Sequence, residues 1–169
     1  GFAAAIWAHE YLAMTHLNEE ASEVIKQKYL IPSVEGKMIG CLCITEPFGG
    51  SDVAGMRSTA IRKGDAYILN GSKTFITNGV YSDYLIVAAK TNPLDKHKGI
   101  SLFIVDRKTP GVSATKLEKL GWRASDTGEI AFDNVEIPAE NILGEEGEGF
   151  PYIMQHFASE RLIMGINAH

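Results

Sequence analysis

The stretch DAYILNGSKTFITNG, residues 65–79, decides the fold that the sequence predicts. Strand-forming residues lie on both sides of Asn70-Gly71, and this dipeptide is the strongest short signal for a two-residue hairpin turn. We therefore interpret residues 65–79 as a β-hairpin that turns at Asn70 and Gly71.

Further strand-like segments lie before and after this stretch, without helical segments between them. They are KMIGCLCIT (37–45), DYLIVAAKT (83–91), GISLFIVDRK (99–108), VSATKLEK (112–119) and GEIAFDNVEI (128–137). Short strands in series, separated by turns, favour antiparallel pairing in a barrel or a sandwich. We expect an α+β fold with a central antiparallel β-barrel and partial helical domains on either side.

Helical patterns flank the β region. Residues 1–36 form one such zone, and an amphipathic helix follows the acidic, glycine-rich connector GEEGEG. We expect residues 1–36 to end an N-terminal helical domain, residues 37–148 to form the β domain, and residues 149–169 to be the first helix of a truncated C-terminal domain. Because both outer helices are apolar with nothing to pack on, we interpret the chain as a fragment of a longer protein.

Composition argues against several classes of function. The 169 residues are 45% hydrophobic and carry a formal net charge of −5 with no basic stripe, so nucleic acid is not an expected partner. No apolar run approaches the roughly 18 residues of a membrane span, and the first residues do not read as a secretion signal. Cys41 and Cys43 would share one strand face as buried free thiols of a reducing compartment, and no metal site is expected.

The stretch CITEPFGGSD, residues 43–52, ends a strand in an unusual turn. Pro47 has no N–H for ladder pairing, while Gly49 and Gly50 let the backbone bend and approach a ligand closely. Consecutive N–H groups in such a turn form a concave nest that suits an anion. The alternative is an ordinary surface turn.

Two other stretches carry candidate site residues. Phe75 and Thr77 share a strand face, where a ring beside a hydroxyl could contact a flat cofactor; the alternative is a hairpin with a half-buried Phe. In the last helix, Glu160 lies on the apolar stripe of Ile153, Phe157 and Met164. Burial there should raise the pKa of Glu160 and suit a general base, unless Glu160 lies at the edge and pairs with a basic group such as Arg161.

Together these stretches resemble the acyl-CoA dehydrogenase family. The matching segments are CLCITEPFGGSDVAG, NGSKTFITNG, GISLFIVDRKTPGV, LGWRASDTGEIAFDNVEIPAENILGEEGEGF and ASERL, in the family's order and spacing. The likeness is greatest to the long-chain and isovaleryl types. It implies a flavoenzyme with a middle β-barrel domain between helical domains, which forms homotetramers and passes electrons to an electron-transfer flavoprotein. It also implies a bacterial cytoplasmic or mitochondrial matrix location.

The resemblance also implies site residues. FAD would be held by Leu42, Ile44, Thr45, Gly50, Ser51, Phe75, Ile76 and Thr77. The acyl-CoA substrate would meet Ser51, His97, Lys98, Ala158, Ser159, Glu160 and Arg161. Many relatives have Trp in place of Phe75 and Gly in place of Phe48. Because only one wall of the flavin site would be present, we expect this stretch alone to bind FAD weakly or not at all.

The implied reaction is the α,β-desaturation of an acyl-CoA thioester. Most relatives supply the base from the distal C-terminal domain, whereas a minority place it on the first C-terminal helix, where Glu160 falls. The alternatives are an acyl-CoA oxidase of the same fold, which would use O₂, and an inert binding domain.

Overall fold

A computed structural model describes residues 2–95 and 98–168, with side chains of the last helix described through residue 166. Helix α1 (residues 2–20) joins an α-helical Phe2–Trp7, a π-helical Ala8–Met14 and an α-helical Thr15–Glu20. Helix α2 (residues 23–34) joins Glu23–Ile25, a π-helical Lys26–Leu30 and Ile31–Val34. Helix α3, expected after the acidic connector, spans Gly149–Ala168.

In the described residues, eight strands form one sheet. They are β1 (Gly40–Cys43), β2 (Thr59–Lys63), β3 (Ala66–Thr77), β4 (Tyr84–Lys90), β5 (Ile100–Asp106), β6 (Val112–Lys116), β7 (Thr127–Pro138) and β8 (Ile142–Leu143). Short 3₁₀ turns cover Val53–Gly55 and Ala139–Asn141. The strand order is β6-β7-β3-β2-β4-β5-β8, with β1 paired beside β4.

The prediction of an antiparallel β-barrel is wrong, because the sheet is mixed and open. Strand β1 runs parallel to β4, and β2 also meets β4 in parallel through the pair Thr59 and Lys90. Over the described part of the chain, the end strands β6 and β8 do not pair with each other. Parallel neighbours need a crossover connection. Here the β2–β3 pair lies within that crossover, so the lack of a helix between strands did not imply antiparallel pairing.

The predicted hairpin at Asn70-Gly71 is also wrong. These residues lie inside β3, which pairs with β7 and is bulged at this point, with Gly71 at φ 143°. The two-residue turn is instead Gly64-Asp65, which joins β2 to β3 with Gly64 at φ 63°. Strand β2 was not predicted, although its Gly-Asp turn is a recognised hairpin signal.

Strand β4 separates two hydrophobic cores. All seven of its residues are buried, which explains its continuous apolar sequence. They alternate between a core shared with α1, α2 and α3 and a second core closed by β3, β5 and β7. Cys41 and Cys43 are buried free thiols in the second core with Sγ atoms 3.7 Å apart, which confirms their shared face. No described helix is both long and apolar enough to cross a membrane.

Candidate active site

The loop that follows β1 is anchored to β3 from inside the protein. Lys73 is fully buried, and its Nζ donates to the carbonyl of Ile44 at 3.1 Å and to Oε1 of Glu46 at 2.8 Å. The N–H of Thr74 donates to the carbonyl of Thr45 at 2.9 Å. Two consecutive residues of β3 therefore fix three consecutive residues of the loop.

Glu46 is a buried carboxylate with a full set of partners. Besides Lys73, it accepts the N–H groups of Arg57 at 2.6 Å and Ser58 at 2.9 Å. Burial alone raises the pKa of the Glu46 carboxyl, but the Lys73 charge and these hydrogen bonds outweigh burial and hold the pKa below its ordinary value. Glu46 also exchanges two backbone hydrogen bonds of 3.1 Å with Gly49, which closes the turn.

Beyond this turn, the loop opens onto a cleft of about 510 Å³ that we call the loop cleft. Gly50 and Ser51 line it from the loop, and Arg161 lines it from α3. Among the described residues, no backbone hydrogen bond uses the N–H of Gly50 or Ser51. Unused N–H groups near a guanidinium suit an anionic ligand.

Strand β3 bulges where it faces the loop. Its register with β7 shifts between Lys73 and Ile76, and Phe75 adopts a left-handed φ of 59° while 70% of its surface is exposed. Bulges re-aim side chains, and strained residues of this kind cluster at functional sites. The bulge lines a narrow cleft of about 160 Å³. Its lining residues are Leu12, Leu42, Ile44, Thr45, Phe75, Ile76, Thr77, Phe157 and Glu160.

A third cleft of about 380 Å³, which we call the apolar cleft, lies between α1 and α3. Its lining residues are Ala4, Trp7, Ala8, Tyr11, Leu12, Thr77, Trp122, Phe157, Glu160, Arg161, Ile163 and Met164. Both tryptophans of the sequence are in this set. Two neighbouring residues of α3, Glu160 and Arg161, supply its charged side chains, so the cleft suits an apolar chain with a polar end.

Glu160 lies where the clefts meet, because it lines both the narrow cleft and the apolar cleft, while Phe157 lines all three. Its Oε1 is buried and has no hydrogen-bond partner among the described residues. Burial raises the pKa of Glu160 to about 7, although His156 and Arg161 each lower it. This carboxyl can therefore accept or release a proton near neutral pH.

The alternative of an ion pair between Glu160 and Arg161 is not observed in the described part of the chain. The Arg161 guanidinium instead lies over the Phe157 ring, 5.3 Å from its centroid. Adjacent helix residues do not face each other, which explains why the two opposite charges do not pair.

The structure brings ten of the fourteen predicted site residues together around the three clefts. Those that line at least one of the three clefts are Leu42, Ile44, Thr45, Gly50, Ser51, Phe75, Ile76, Thr77, Glu160 and Arg161. Ala158 and Ser159 are exposed and line none of the three. Lys98 is exposed, and its N–H donates to Asp95 Oδ1 at 3.0 Å. His97 lies outside the described residues.

Sequence reasoning missed a buried polar cluster beside the site. His16 and Glu20 lie one turn apart on α1, and the ring of His16 donates from Nδ1 to Glu20 at 3.1 Å. His156 of α3 donates from Nε2 to the other Glu20 oxygen at 2.9 Å. We call these three residues the His–Glu–His cluster. The i, i+4 spacing of His16 and Glu20 could have indicated that these two side chains meet on one helix face. It could not indicate His156, which is 136 residues away from Glu20.

Comparisons with known proteins agree on one family. The family model described as "Acyl-CoA dehydrogenase, middle domain" matches residues 41–135. The short-chain specific acyl-CoA dehydrogenase of Clostridium acetobutylicum is 42% identical over 156 residues, which cover 92% of this chain and 41% of that protein. Mitochondrial isovaleryl-CoA dehydrogenase of Pongo abelii is 44% identical over 160 residues, which cover 93% of this chain and 38% of that protein.

A solved structure gives the same result. The crystal structure of acyl-CoA dehydrogenase from Geobacillus kaustophilus superposes with a TM-score of 0.92 at 45% identity and covers 95% of this chain and 43% of that chain. The chain therefore spans about two fifths of the length of the relatives that it matches.

Proposed function

Since the chain belongs to the acyl-CoA dehydrogenase family, we propose that the whole protein catalyses the FAD-dependent α,β-desaturation of acyl-CoA thioesters. The observation that carries this proposal is the place of Glu160, a carboxyl with one buried oxygen where a narrow cleft meets an apolar one. A base for this reaction must reach the α-carbon of a substrate that lies between a flat electron acceptor and an apolar binding site. Glu160 lines the narrow cleft, which would hold the flat acceptor, and also the apolar cleft, which would hold the substrate chain.

The narrow cleft and the loop cleft together fit FAD. The narrow cleft offers apolar side chains with the hydroxyls of Thr45 and Thr77, which suits a flat ring with polar edges. The unused N–H groups of Gly50 and Ser51 suit the pyrophosphate. FAD would be held by Leu42, Ile44, Thr45, Gly50, Ser51, Phe75, Ile76 and Thr77. When bound, FAD accepts the hydride that leaves the β-carbon of the substrate.

Glu160 is the proposed base. In its ionised form, an oxygen of the carboxylate takes the α-proton and holds it after the C–H bond breaks. Burial raises the pKa of Glu160 to about 7, so the carboxylate is a stronger base than an exposed one and is about half ionised at neutral pH. Hydrogen bonds to the thioester carbonyl must also polarise it, because the α-proton is otherwise too weak an acid.

The apolar cleft would receive the acyl chain. Arg161 lines both this cleft and the loop cleft, so it is placed to meet the CoA portion together with Ser51. Ala158 and Ser159 could contact CoA from the exposed side of α3. Lys98 and His97 remain predicted contacts in the loop before Gly99.

The remaining proposals concern the assembly. The matched relatives include a bacterial protein and a mitochondrial one. A bacterial cytoplasm or a mitochondrial matrix is therefore the proposed location. We propose an electron-transfer flavoprotein as electron acceptor and a homotetramer as the assembly, in which this chain contributes the end of an N-terminal helical domain, the middle domain and the first C-terminal helix.

The test is the variant Glu160→Gln in the full-length protein, mixed anaerobically with an acyl-CoA. Gln keeps the side-chain shape and removes the basic oxygen, so FAD and acyl-CoA should still bind. Bleaching of the flavin should slow by about 100-fold or more, as the loss of a general base usually causes. Glu145→Gln is the control, because Glu145 is also a carboxylate but is exposed in the connector.

Bleaching of the Gln variant at the wild-type rate would place the base elsewhere. A full-length protein that binds no flavin and ignores acyl-CoA would favour the inert binding domain. Stoichiometric peroxide formation in air would identify an oxidase instead of a dehydrogenase.

A further inference from the structure

The His–Glu–His cluster joins two helices that form the walls of the apolar cleft. His16 and the side chain of Glu20 on α1, and His156 on α3, are nearly or completely inaccessible to solvent. The rings of His16 and His156 meet edge to face, with centroids 4.2 Å apart. A buried carboxylate that accepts from both rings fixes the distance between the helices and also the rotation of α3.

One member of the cluster, His156, lies one helical turn from the candidate base. His156 and Glu160 are four residues apart on α3, so they occupy neighbouring turns of one helix face. Rotation of α3 about its axis would move Glu160 out of the position where the narrow and apolar clefts meet. The contact between His156 and Glu20 restrains the rotation of α3, on which the position of Glu160 depends.

Charges around the two groups are few. Glu160 faces His156 and Arg161 from its own helix and Tyr11 across the apolar cleft from α1. His156 faces Glu20, and also Glu19 at 3.7 Å. A positive charge on the His156 ring, one turn away, lowers the pKa of Glu160.

The same three side chains are also potential metal ligands. Their ligand atoms lie within 4.8 Å of one another. Both oxygens of Glu20, however, already accept a hydrogen bond of ordinary length. A hydrogen-bonded cluster therefore accounts for the geometry better than a cation does.

We propose that the His–Glu–His cluster is a positioning device for Glu160, which locks α3 against α1 and places a titratable ring one helical turn from the base. This role rests on the proposed function of Glu160. The substitution His156→Gln separates its two parts, because Gln can still donate to Glu20 but cannot carry a charge. The substitution His156→Ala removes both the donor and the charge.

The experiment is the pH dependence of flavin reduction in the full-length holoenzyme. With His156→Gln, the rising limb of the rate profile should move to higher pH by roughly half a unit to one unit, which is a three- to tenfold lower rate at pH 6. The rate at high pH should stay close to that of the wild type. With His156→Ala, the high-pH rate should fall as well. Glu145→Gln, in the exposed connector before α3, is the control and should change neither.

A second readout needs no turnover. The difference in unfolding free energy between Glu160 and Glu160→Gln, measured against pH with and without His156→Gln, follows the ionisation of Glu160 in each background. In the His156→Gln background, the change of this stability difference with pH should occur at higher pH, because the pKa of Glu160 is higher there.

Three results would overturn the proposal. In the first, Glu160→Gln is inactive, but His156→Gln changes neither the pH–rate profile nor the stability difference. The cluster would then be a structural contact only. Activity of the Glu160→Gln variant would show that Glu160 is not the base, and the cluster would then have no base to position. Stoichiometric Zn²⁺ in the purified protein, with a rate profile that EDTA shifts, would replace the hydrogen-bonded cluster by a metal site.

Discussion

Glu46 and Glu160 are two carboxylates with opposite surroundings. Glu46 is buried behind the loop that follows β1, whereas Glu160 is partly exposed and has one buried oxygen at the meeting point of two clefts. Glu46 accepts hydrogen bonds from Lys73 and from two backbone N–H groups, which hold its pKa low. Glu160 has a buried oxygen without a partner among the described residues, and burial raises its pKa to about 7. A carboxylate with all its partners holds a loop in place, whereas one without partners is free to react with a proton.

The comparison predicts opposite effects on stability. Removal of a partner of Glu46 should destabilise the protein, because the remaining charge is buried without compensation. Removal of the charge of Glu160 should stabilise the protein and slow the proposed reaction.

The largest effect is expected for Lys73→Met in the full-length protein. Loss of one member of a buried ion pair costs about 3–5 kcal/mol of unfolding free energy, because the other charge remains buried. Urea unfolding at pH 7 measures this loss. The double variant with Glu46→Gln should recover part of it, and a double variant that is less stable than Lys73→Met would contradict the assigned pairing.

Glu160→Gln should increase stability at pH 8 by about 2–3 kcal/mol, less than the whole pKa shift would give, because water screens the exposed part of the side chain. The folded pKa of about 7 lies above the value of 4.5 expected in the unfolded chain, so ionisation above pH 7 costs the folded state free energy. The gain should shrink as pH falls through 7 and vanish below 4.5, where both states are protonated. Thermal or urea unfolding at several pH values tests this, and an equal gain at every pH would argue against it.

A smaller effect is expected for Gly71→Ala. A Cβ at position 71 would collide with Ser58, whose N–H donates to Glu46, and the φ of 143° disfavours any side chain. We expect a loss of about 2 kcal/mol in unfolding free energy. Gly36→Ala is a comparison variant without a close neighbour, since its φ is 70° and nothing lies within 4 Å of its added Cβ. Equal losses in the two variants would rule out a contribution from the Ser58 contact.

The smallest effect is expected for Phe48→Ala. Phe48 is exposed, and the Arg57 guanidinium lies 4.6 Å from its ring centroid. Exposed contacts of this kind contribute about 0.5–1 kcal/mol. A loss as large as that of Lys73→Met would show that the surface of the loop matters as much as its buried anchor.

The local sequence pattern was sufficient to predict a large part of the secondary structure. Strands β1, β4, β5 and β6 lie within their predicted segments, β7 extends one residue beyond its segment at each end, and α3 begins at the last residue of the acidic connector. The prediction that the pKa of Glu160 is raised agrees with its buried Oε1, although Met164 of the same predicted apolar stripe is 56% exposed.

Contacts distant in sequence could not be predicted in this way. Lys73 reads as an ordinary exposed position of an alternating strand, and only the folded chain brings it to Glu46, 27 residues away. The parallel pairing of β1 with β4 has the same cause, because it depends on a connection and not on the sequence of either strand. Asn70-Gly71 misled because a glycine required by a close neighbour looks the same as a glycine required by a turn.

The position of Trp7 and Trp122 has a spectroscopic consequence. Both tryptophans of this sequence line the apolar cleft beside Glu160. Their ultraviolet emission therefore originates at the proposed substrate site, and it depends on whether water or an acyl chain surrounds the indoles. A yellow chromophore bound in the neighbouring narrow cleft would absorb that emission. These residues thus provide a built-in optical probe of the occupancy of both clefts, without an added label.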